Sequence, residues 1–380
     1  VGSSRTILIA GAGIGGLTTA LALSRIGYRV VVVEQAKVLS DVGAGLQLSP
    51  NATRILIALG VAERLVPLAV QPAGLSVRTA RSGAEIAYMP IGSAWEFRYG
   101  APYWVVHRGD LQAALAETVR EQPDIELKLG TRLEDFAVHP NGITAQLHDS
   151  RGVTEERAAG LIGADGVWSV TRKRLGDTSR PTFRERTAWR ATVPADAVAE
   201  EMRRPVTWLW LGKDAHLVHY PVRAGKLINI VAIVRDRWNE PGWSTPGMRS
   251  ELINHFGRDR WARTARDLLD RPDAWIKWAL FDREDSGFSG EGPVALVGDA
   301  AHPMLPFLAQ GAAMAIEDAA ILARCLGAPG SDPEPALRRY EAMRHARVRR
   351  VQQEARANSR NYNMSGAAAF ARNLALRLMG

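Results

Sequence analysis

Only one cysteine, Cys325, occurs among the 380 residues, so no internal disulfide can form and no thiolate pair is available for a metal. That usage fits a reducing compartment, and the expectation is a cytoplasmic protein with no metal site. No stretch of about 18 apolar residues runs free of charges and breakers, which argues against a membrane span. The first residues, Val1 to Thr6, lead straight into a strand and lack the basic, apolar and small-residue series of a secretory signal. Compositional extremes are absent too. With 46% hydrophobic and 23% charged residues, disordered, collagen-like and coiled-coil classes are excluded, and the length suggests two domains.

The formal net charge is +8, a level that raises the question of nucleic acid. The basic residues are spread through the chain, apart from a C-terminal group of Arg338, Arg339, Arg344, Arg347, Arg349 and Arg350. These interleave with Tyr340, Met343, Val348 and Val351, which reads as a helix with one solvated face and one packed face. No nucleic-acid partner and no membrane partner are therefore expected. A positive surface also draws in anionic substrates and pyridine nucleotides.

The first motif is a βαβ unit. The apolar run Thr6 to Ala10 leads into Gly11-Ala12-Gly13-Ile14-Gly15-Gly16, then a periodic helix Leu17 to Ile26, then a β-branched strand from Arg29 that ends on Glu34. Gly11 permits the tight turn, Gly13 lets the backbone approach a pyrophosphate, and Gly16 lets helix and strand pack closely. Amides at the helix start favour negative charge. The Glu34 carboxylate suits ribose hydroxyls and repels a 2′-phosphate, which selects FAD or NAD over NADP. No second GxGxxG follows, so a nicotinamide cosubstrate lacks its own Rossmann domain.

Two later stretches repeat the pattern of a strand ending in glycine and acid: Ile162 to Gly166 around Asp165, and Val294 to Pro303 around Gly298 and Asp299. Glycine lets a ligand approach, and the carboxylate can accept its hydroxyls. Between them the texture changes. Nine of the eleven tryptophans lie from Trp168 to Trp278, among alternating runs such as Val206 to Gly212 and His216 to Val222, which predicts an antiparallel sheet. From Pro335 onward the pattern is helical.

With motifs near 11, 165 and 299, the sequence resembles the class A flavoprotein aromatic hydroxylases over nearly its whole length, in the branch that includes salicylate hydroxylase, 3-hydroxybenzoate 6-hydroxylase and 6-hydroxynicotinate 3-monooxygenase. The resemblance implies an α/β fold: a Rossmann-type FAD-binding domain on 1-72, 101-178 and 286-330, an inserted mostly antiparallel β-sheet substrate domain on 73-100 and 179-285, and C-terminal helices on 331-380. It implies that FAD meets Gly11, Ala12, Gly13, Ile14, Gly15, Gly16, Glu34, Gln35 and Asp165, with Asp299 on the ribityl chain beside Gly298. His107 to Gln112 resembles the family's FAD-contacting helix start, so Arg108 and Gln112 inherit that role. Gly43 to Asn51 resembles the loop that passes the isoalloxazine ring. Gln47 stands within it where the 6-hydroxynicotinate enzyme is expected to carry histidine, which argues against that substrate. Pro306 to Ala313 precedes a helix read from Met314 to Cys325. Free amides at Gly311, Ala312 and Ala313 would stabilise negative charge on the reduced ring, and the Pro306 carbonyl would lie beside the substrate.

The activity implied is that of a monooxygenase in which NADH, preferred over NADPH, reduces FAD, and dioxygen then gives a flavin hydroperoxide that attacks an electron-rich ring. The substrate would be a hydroxybenzoate or hydroxypyridine carboxylate, with or without decarboxylation, and the enzyme a monomer or homodimer. His216 and Tyr220, four apart on one strand, share a face about 13 Å apart and can bracket a small ring, and His219 must point the other way. A histidine with an ordinary pKa near 6.5 can accept a phenolic proton. His302 either ties its loop down or meets the substrate. Arg184, Arg186 and Arg190 are alternatives for binding a substrate carboxylate, and the sequence does not select among them. Rival readings are a flavin-dependent halogenase or epoxidase, an NAD-dependent dehydrogenase and a non-catalytic flavin-binding sensor. Trp208-Leu209-Trp210 is not followed by Ile-Pro, and no lysine lies between Lys37 and Lys128, both of which weaken the halogenase reading. A dehydrogenase leaves the motifs at 165 and 299 unexplained.

Overall fold

The computed structural model describes residues 5–39, 44–238, 244–284, 290–330 and 332–379. Gly43, the first residue of the ring-passing stretch, lies outside them. Five strands form a wholly parallel sheet in the order Val294–Leu296, Gly160–Gly163, Thr6–Ala10, Arg29–Glu34, Ile125–Leu129. The inner strands are continuous apolar runs because both faces are covered. Ile7, Ile9, Val30 and Val32 face a core shared with the helices Ile14–Ser24, Arg108–Arg120 and Gly311–Leu326. Leu8, Ala10, Val31 and Val33 face an antiparallel three-stranded sheet, Arg132–His139, Gly142–Asp149 and Gly152–Ala158, through Leu133, Ile143 and Leu147. Parallel order brings the carboxyl ends of the strands to one edge, where Gly11, Glu34, Ala164 and Gly298 all emerge.

The second layer is an eight-stranded sheet in the order Thr245–Gly247, Trp275–Asp282, Thr182–Pro194, Leu227–Arg235, Ala215–Val222, Val206–Leu211, Gly74–Thr79, Glu85–Pro90. Only the pairing of Val206–Leu211 with Gly74–Thr79 is parallel, so the sheet is mostly antiparallel. Alternation divides its side chains between two faces. Trp189, Trp208, Trp210 and Trp275 pack on one face with Phe256, Trp261 and Leu268 from the segment holding the short helices Arg249–Ile253 and Arg263–Leu269. Core filling therefore explains most of the tryptophan excess. Ala188, Ile233 and Leu280 on the other face pack against Leu305, Phe307 and Ala355.

The helix Pro333–Tyr362 departs from the expected solvated arginine face. Tyr340, Val348 and Val351 are buried, but Met343 is 52% exposed and Arg344 is only 6% exposed. Arg344 Nε donates to Asp318 Oδ1 at 2.6 Å and its NH1 donates to Glu317 Oε2 at 2.7 Å, so a charged side chain shares the buried face with Tyr340 and Val348, one turn to either side. Burial is tolerated because both charges are paired. No described helix is long and apolar enough to cross a membrane. Arg344→Leu leaves Asp318 and Glu317 short of their cation. The expected cost is about 3 kcal/mol, read as a lower urea midpoint, and an unchanged midpoint would show that the pair contributes no net stability.

Candidate active site

The glycine loop is built for close approach. Gly11 has φ +106°, a region that L side chains avoid, and a Cβ on Gly16 would lie 1.9 Å from the Gly11 carbonyl oxygen. A Cβ on Gly13 would meet nothing within 4 Å, which leaves open space in front of the first helical amides. The loop is held from two sides: Ala12 N donates to Glu34 Oε2 at 2.9 Å, and Gln112 Nε2 donates to the Ala12 carbonyl at 3.0 Å. Glu34 also accepts from Ala36 N at 2.9 Å, next to Gln35, and keeps lone pairs for ribose hydroxyls.

Further along the same edge, Asp299 leaves the turn Gly298–Ala300. Burial raises its carboxyl pKa against the opposing pull of His302 and Arg108. Arg108, at the start of its helix, is lowered by burial and held up by Asp299. The helix Gly311–Leu326 begins three residues earlier than periodicity suggested, so Gly311, Ala312 and Ala313 form its first turn, with amides that have no partner within the helix. Ala309, in the left-handed region at φ +52°, turns the chain from Pro306–Leu308 into that helix.

The large sheet presents a polar strip to the stretch beginning at Gly45. Tyr220 lies over Gly45, where a Cβ would stand 2.5 Å from its ring, and faces its cross-strand neighbour Asn229. Asn229 Oδ1 accepts from Gly45 N at 2.6 Å, and its buried Nδ2 has no partner. Gln47 Oε1 accepts the Tyr103 hydroxyl at 2.7 Å, and burial pushes the pKa of both Tyr103 and Tyr220 up, so each stays a phenol. His216 is on the same face as Tyr220, with its ring 5.3 Å from Phe307 and 5.4 Å from Tyr362. His219 points to the opposite face, stacked on Trp208 at 5.4 Å.

Residues 4–355 match the family model described as an FAD binding domain. The chain belongs to that family. It is 38% identical over 375 residues to 3-hydroxybenzoate 6-hydroxylase 1 of Aquipseudomonas alcaligenes, covering 98% of this chain and 93% of the relative. It is 34% identical over 360 residues to 6-hydroxynicotinate 3-monooxygenase of Pseudomonas fluorescens, covering 94% and 91%. Among solved structures, Klebsiella pneumoniae HpxO complexed with FAD and uric acid superposes with a TM-score of 0.86 at 25% identity, covering 98% and 92%. A salicylate hydroxylase substrate complex gives 0.83 at 26%, covering 99% and 93%. The family binds FAD, and along the edge just described the glycine loop, Glu34, Arg108 and Asp299 are the residues that would meet its pyrophosphate, ribose and ribityl groups.

Two expectations change on this geometry, those for Asp165 and His216, and for His302 the loop-tying alternative is the one with a partner in place. Asp165 does not present a free carboxylate: it accepts from Ser169 Oγ at 2.6 Å and from Thr171 N and Oγ1 at 2.9 and 3.0 Å, capping its own loop and the short helix Val170–Arg174. His302 is held by Asp318 at 2.6 Å from Nε2, which anchors the turn at Gly298 to the helix Gly311–Leu326, although its buried Nδ1 has no partner. His216 is not an ordinary histidine of pKa near 6.5, because burial, aided by Arg186, pushes it down to about 3. Asn229 escaped the sequence reading altogether, although it is the one polar residue between Leu227 and Val234.

Glycine substitutions separate folding from binding. Gly16→Ala forces backbone apart and should lower soluble yield, whereas Gly13→Ala should fold with an unchanged melting temperature and lose flavin retention at least 10-fold, read as the ratio of flavin to protein absorbance. Equal retention in Gly13→Ala and the parent protein would remove the pyrophosphate from that position.

The pair of His302 and Asp318 sets a pH window. Burial lowers His302, but Asp318 outweighs it and the net pKa is raised, so its contribution is full below about 6.5 and fades as pH rises through the folded value. Asp318 is lowered by His302 and Arg344 against burial, so its contribution holds above about pH 4 and is lost in acid. The melting-temperature gap between the parent protein and His302→Gln should therefore be widest near pH 6 and narrow toward pH 9. A gap constant with pH would identify a neutral hydrogen bond.

Proposed function

We propose that this enzyme is an FAD-dependent monooxygenase that takes electrons from NADH and one oxygen atom from dioxygen to hydroxylate a small aromatic acid, a hydroxybenzoate or hydroxypyridine carboxylate. The observation that carries the reading is the strip Tyr220, Asn229 and His216 on a buried sheet face opposite the dinucleotide edge, with polar atoms there lacking partners. Buried polar groups of that kind are normally satisfied, so an occupant with its own polar groups is called for. The names of the relatives, hydroxylases of 3-hydroxybenzoate and 6-hydroxynicotinate, support an aromatic acid as that occupant.

When bound, FAD supplies the redox and oxygen chemistry. The chain's own tasks are orientation, water exclusion and control of one proton. Val218, Val231, Ile233 and Phe307 give an apolar wall that keeps water from the ring. Tyr220 donates from a hydroxyl that burial keeps protonated. His216, neutral across the physiological range, accepts a hydrogen bond from a phenol at its free nitrogen, and an anion formed beside it raises its basicity again. Amides at the start of the helix Gly311–Leu326 favour negative charge on the group they face.

Testing the assignment calls for a panel of 3-hydroxybenzoate, 4-hydroxybenzoate, salicylate and 6-hydroxynicotinate, scored for both NADH oxidation and hydroxylated product by chromatography. At least one acid should stimulate NADH oxidation with product formed in near equivalence; no stimulation by any would overturn the reading. His216→Ala should lower the coupled rate about 10²- to 10³-fold while FAD stays bound, and full coupled activity in that variant would remove His216 from proton handling.

A further inference from the structure

The strand Thr182–Pro194 offers three arginines, and their surroundings differ. Arg184 is committed to structure: Nε donates to Asp282 Oδ1 at 2.5 Å, and NH2 reaches Glu284 at 3.4 Å. Arg186 donates to the Glu185 carbonyl at 3.2 Å, near the exposed end of the strand beside Arg235. Arg190 is different. Its Nε, like that of Arg186, is buried without a hydrogen-bond partner, but Asp214 and Glu185 act on Arg186 whereas no described carboxylate acts on Arg190. The guanidinium sits 5.3 Å from the centroid of Trp278, the cross-strand partner of Ala188 two residues away on the same face.

Sheet register places Arg190 on the polar strip. It pairs with Val231, which pairs with Val218, two residues from Tyr220; Thr192 on the same face pairs with Asn229, the partner of Tyr220. Arg190 and Tyr220 interact electrostatically, as do Arg190 and Arg108, so the cation lies between the sheet strip and the dinucleotide edge. Its side chain is half-buried. A lone, partly enclosed guanidinium is unfavourable unless an anion joins it, and its planar fork matches a carboxylate bidentately.

We propose that Arg190 is the specificity-determining anchor for the substrate's carboxylate, with Tyr220 and Asn229 as flanking donors. The inference rests on the aromatic-acid reading and adds a single anchoring residue to it. The carboxylate enters as the counter-ion Arg190 lacks, which fixes the ring by one end and leaves the hydroxyl-bearing end for His216. Aromatic amides and phenols of the same shape leave Arg190 unpaired and bind weakly, because the penalty of a missing buried partner falls on the wrong ligand.

The test uses the oxidised holoenzyme and equilibrium titration of the flavin absorbance with three acid and amide pairs: 3-hydroxybenzoate and 3-hydroxybenzamide, salicylate and salicylamide, 6-hydroxynicotinate and 6-hydroxynicotinamide. The parent protein should bind one of the acids at least about 10²-fold tighter than its amide. Arg190→Met should lose about that factor for the acid, leave the amide within about 3-fold, keep its FAD, and melt no lower than the parent, since a lone buried cation is removed. Arg190→Lys should keep the acid preference with acid binding about 10-fold weaker, since charge remains but the fork is lost. Acid binding unchanged in Arg190→Met, equal losses for acid and amide, or loss of FAD from a folded variant would each overturn this assignment while the function stands. A parent protein that binds no member of any pair would overturn the aromatic-acid reading and the anchor together.

Discussion

Asp318, wholly buried on the helix Gly311–Leu326, is the joint on which the site depends. Its carboxylate accepts from Gly298 N at 2.8 Å, from His302 Nε2 at 2.6 Å and from Arg344 Nε at 2.6 Å. One charge thereby fixes the glycine and acid turn that presents Asp299, the segment leading to Pro306, and the long C-terminal helix that packs behind both. Glu317, its neighbour, extends the network to Asn51 at 2.7 Å, and Asn51 reaches Gln310 at 3.2 Å, so the ring-passing stretch and the helix start share the same framework. Buried networks of this kind specify geometry more than they add stability, because every member must be satisfied at once.

Against that framework of paired charges, the strip on the large sheet stands out for its unpaired polar atoms. Arg190 Nε, His216 Nδ1 and Asn229 Nδ2 are buried without partners, while Asp299 and Arg108 face each other across the dinucleotide edge. A protein tolerates such atoms where a ligand completes them. The two sets divide the labour: the paired charges hold backbone in place, and the unpaired ones wait on the sheet face opposite. Tyr220 links them, since the same residue touches Gly45 of the dinucleotide side and neighbours Asn229 on the sheet.

Much of this was legible beforehand because it is local. The βαβ unit from Thr6 to Glu34, the alternation around Val206 and His216, and the helix from Met314 onward follow from the period of apolar residues and from the steric freedom of glycine. Errors arose where a side chain's partner is distant in sequence. Asp165 is an exception, with partners only four and six residues away: the strand-end motif does not reveal that Ser169 and Thr171 fold back onto it. Arg344 looked solvated because its carboxylates lie on another helix, and the lone asparagine of the run from Leu227 to Val234 passed unnoticed as an interruption in a buried strand.

The sequence by itself determined the α/β class, the three glycine and acid motifs and the affinity for a dinucleotide, since steric freedom at glycine and the period of apolar residues act within a few residues of each other. Tertiary structure alone decided which histidine departs from its usual pKa, which acid stays available and which arginine is left without an anion. Those properties depend on burial and on charges brought close from distant parts of the chain. The pKa of His216 and the isolation of Arg190 are set by the sheet face and the elements packed over it, and no local pattern encodes that packing.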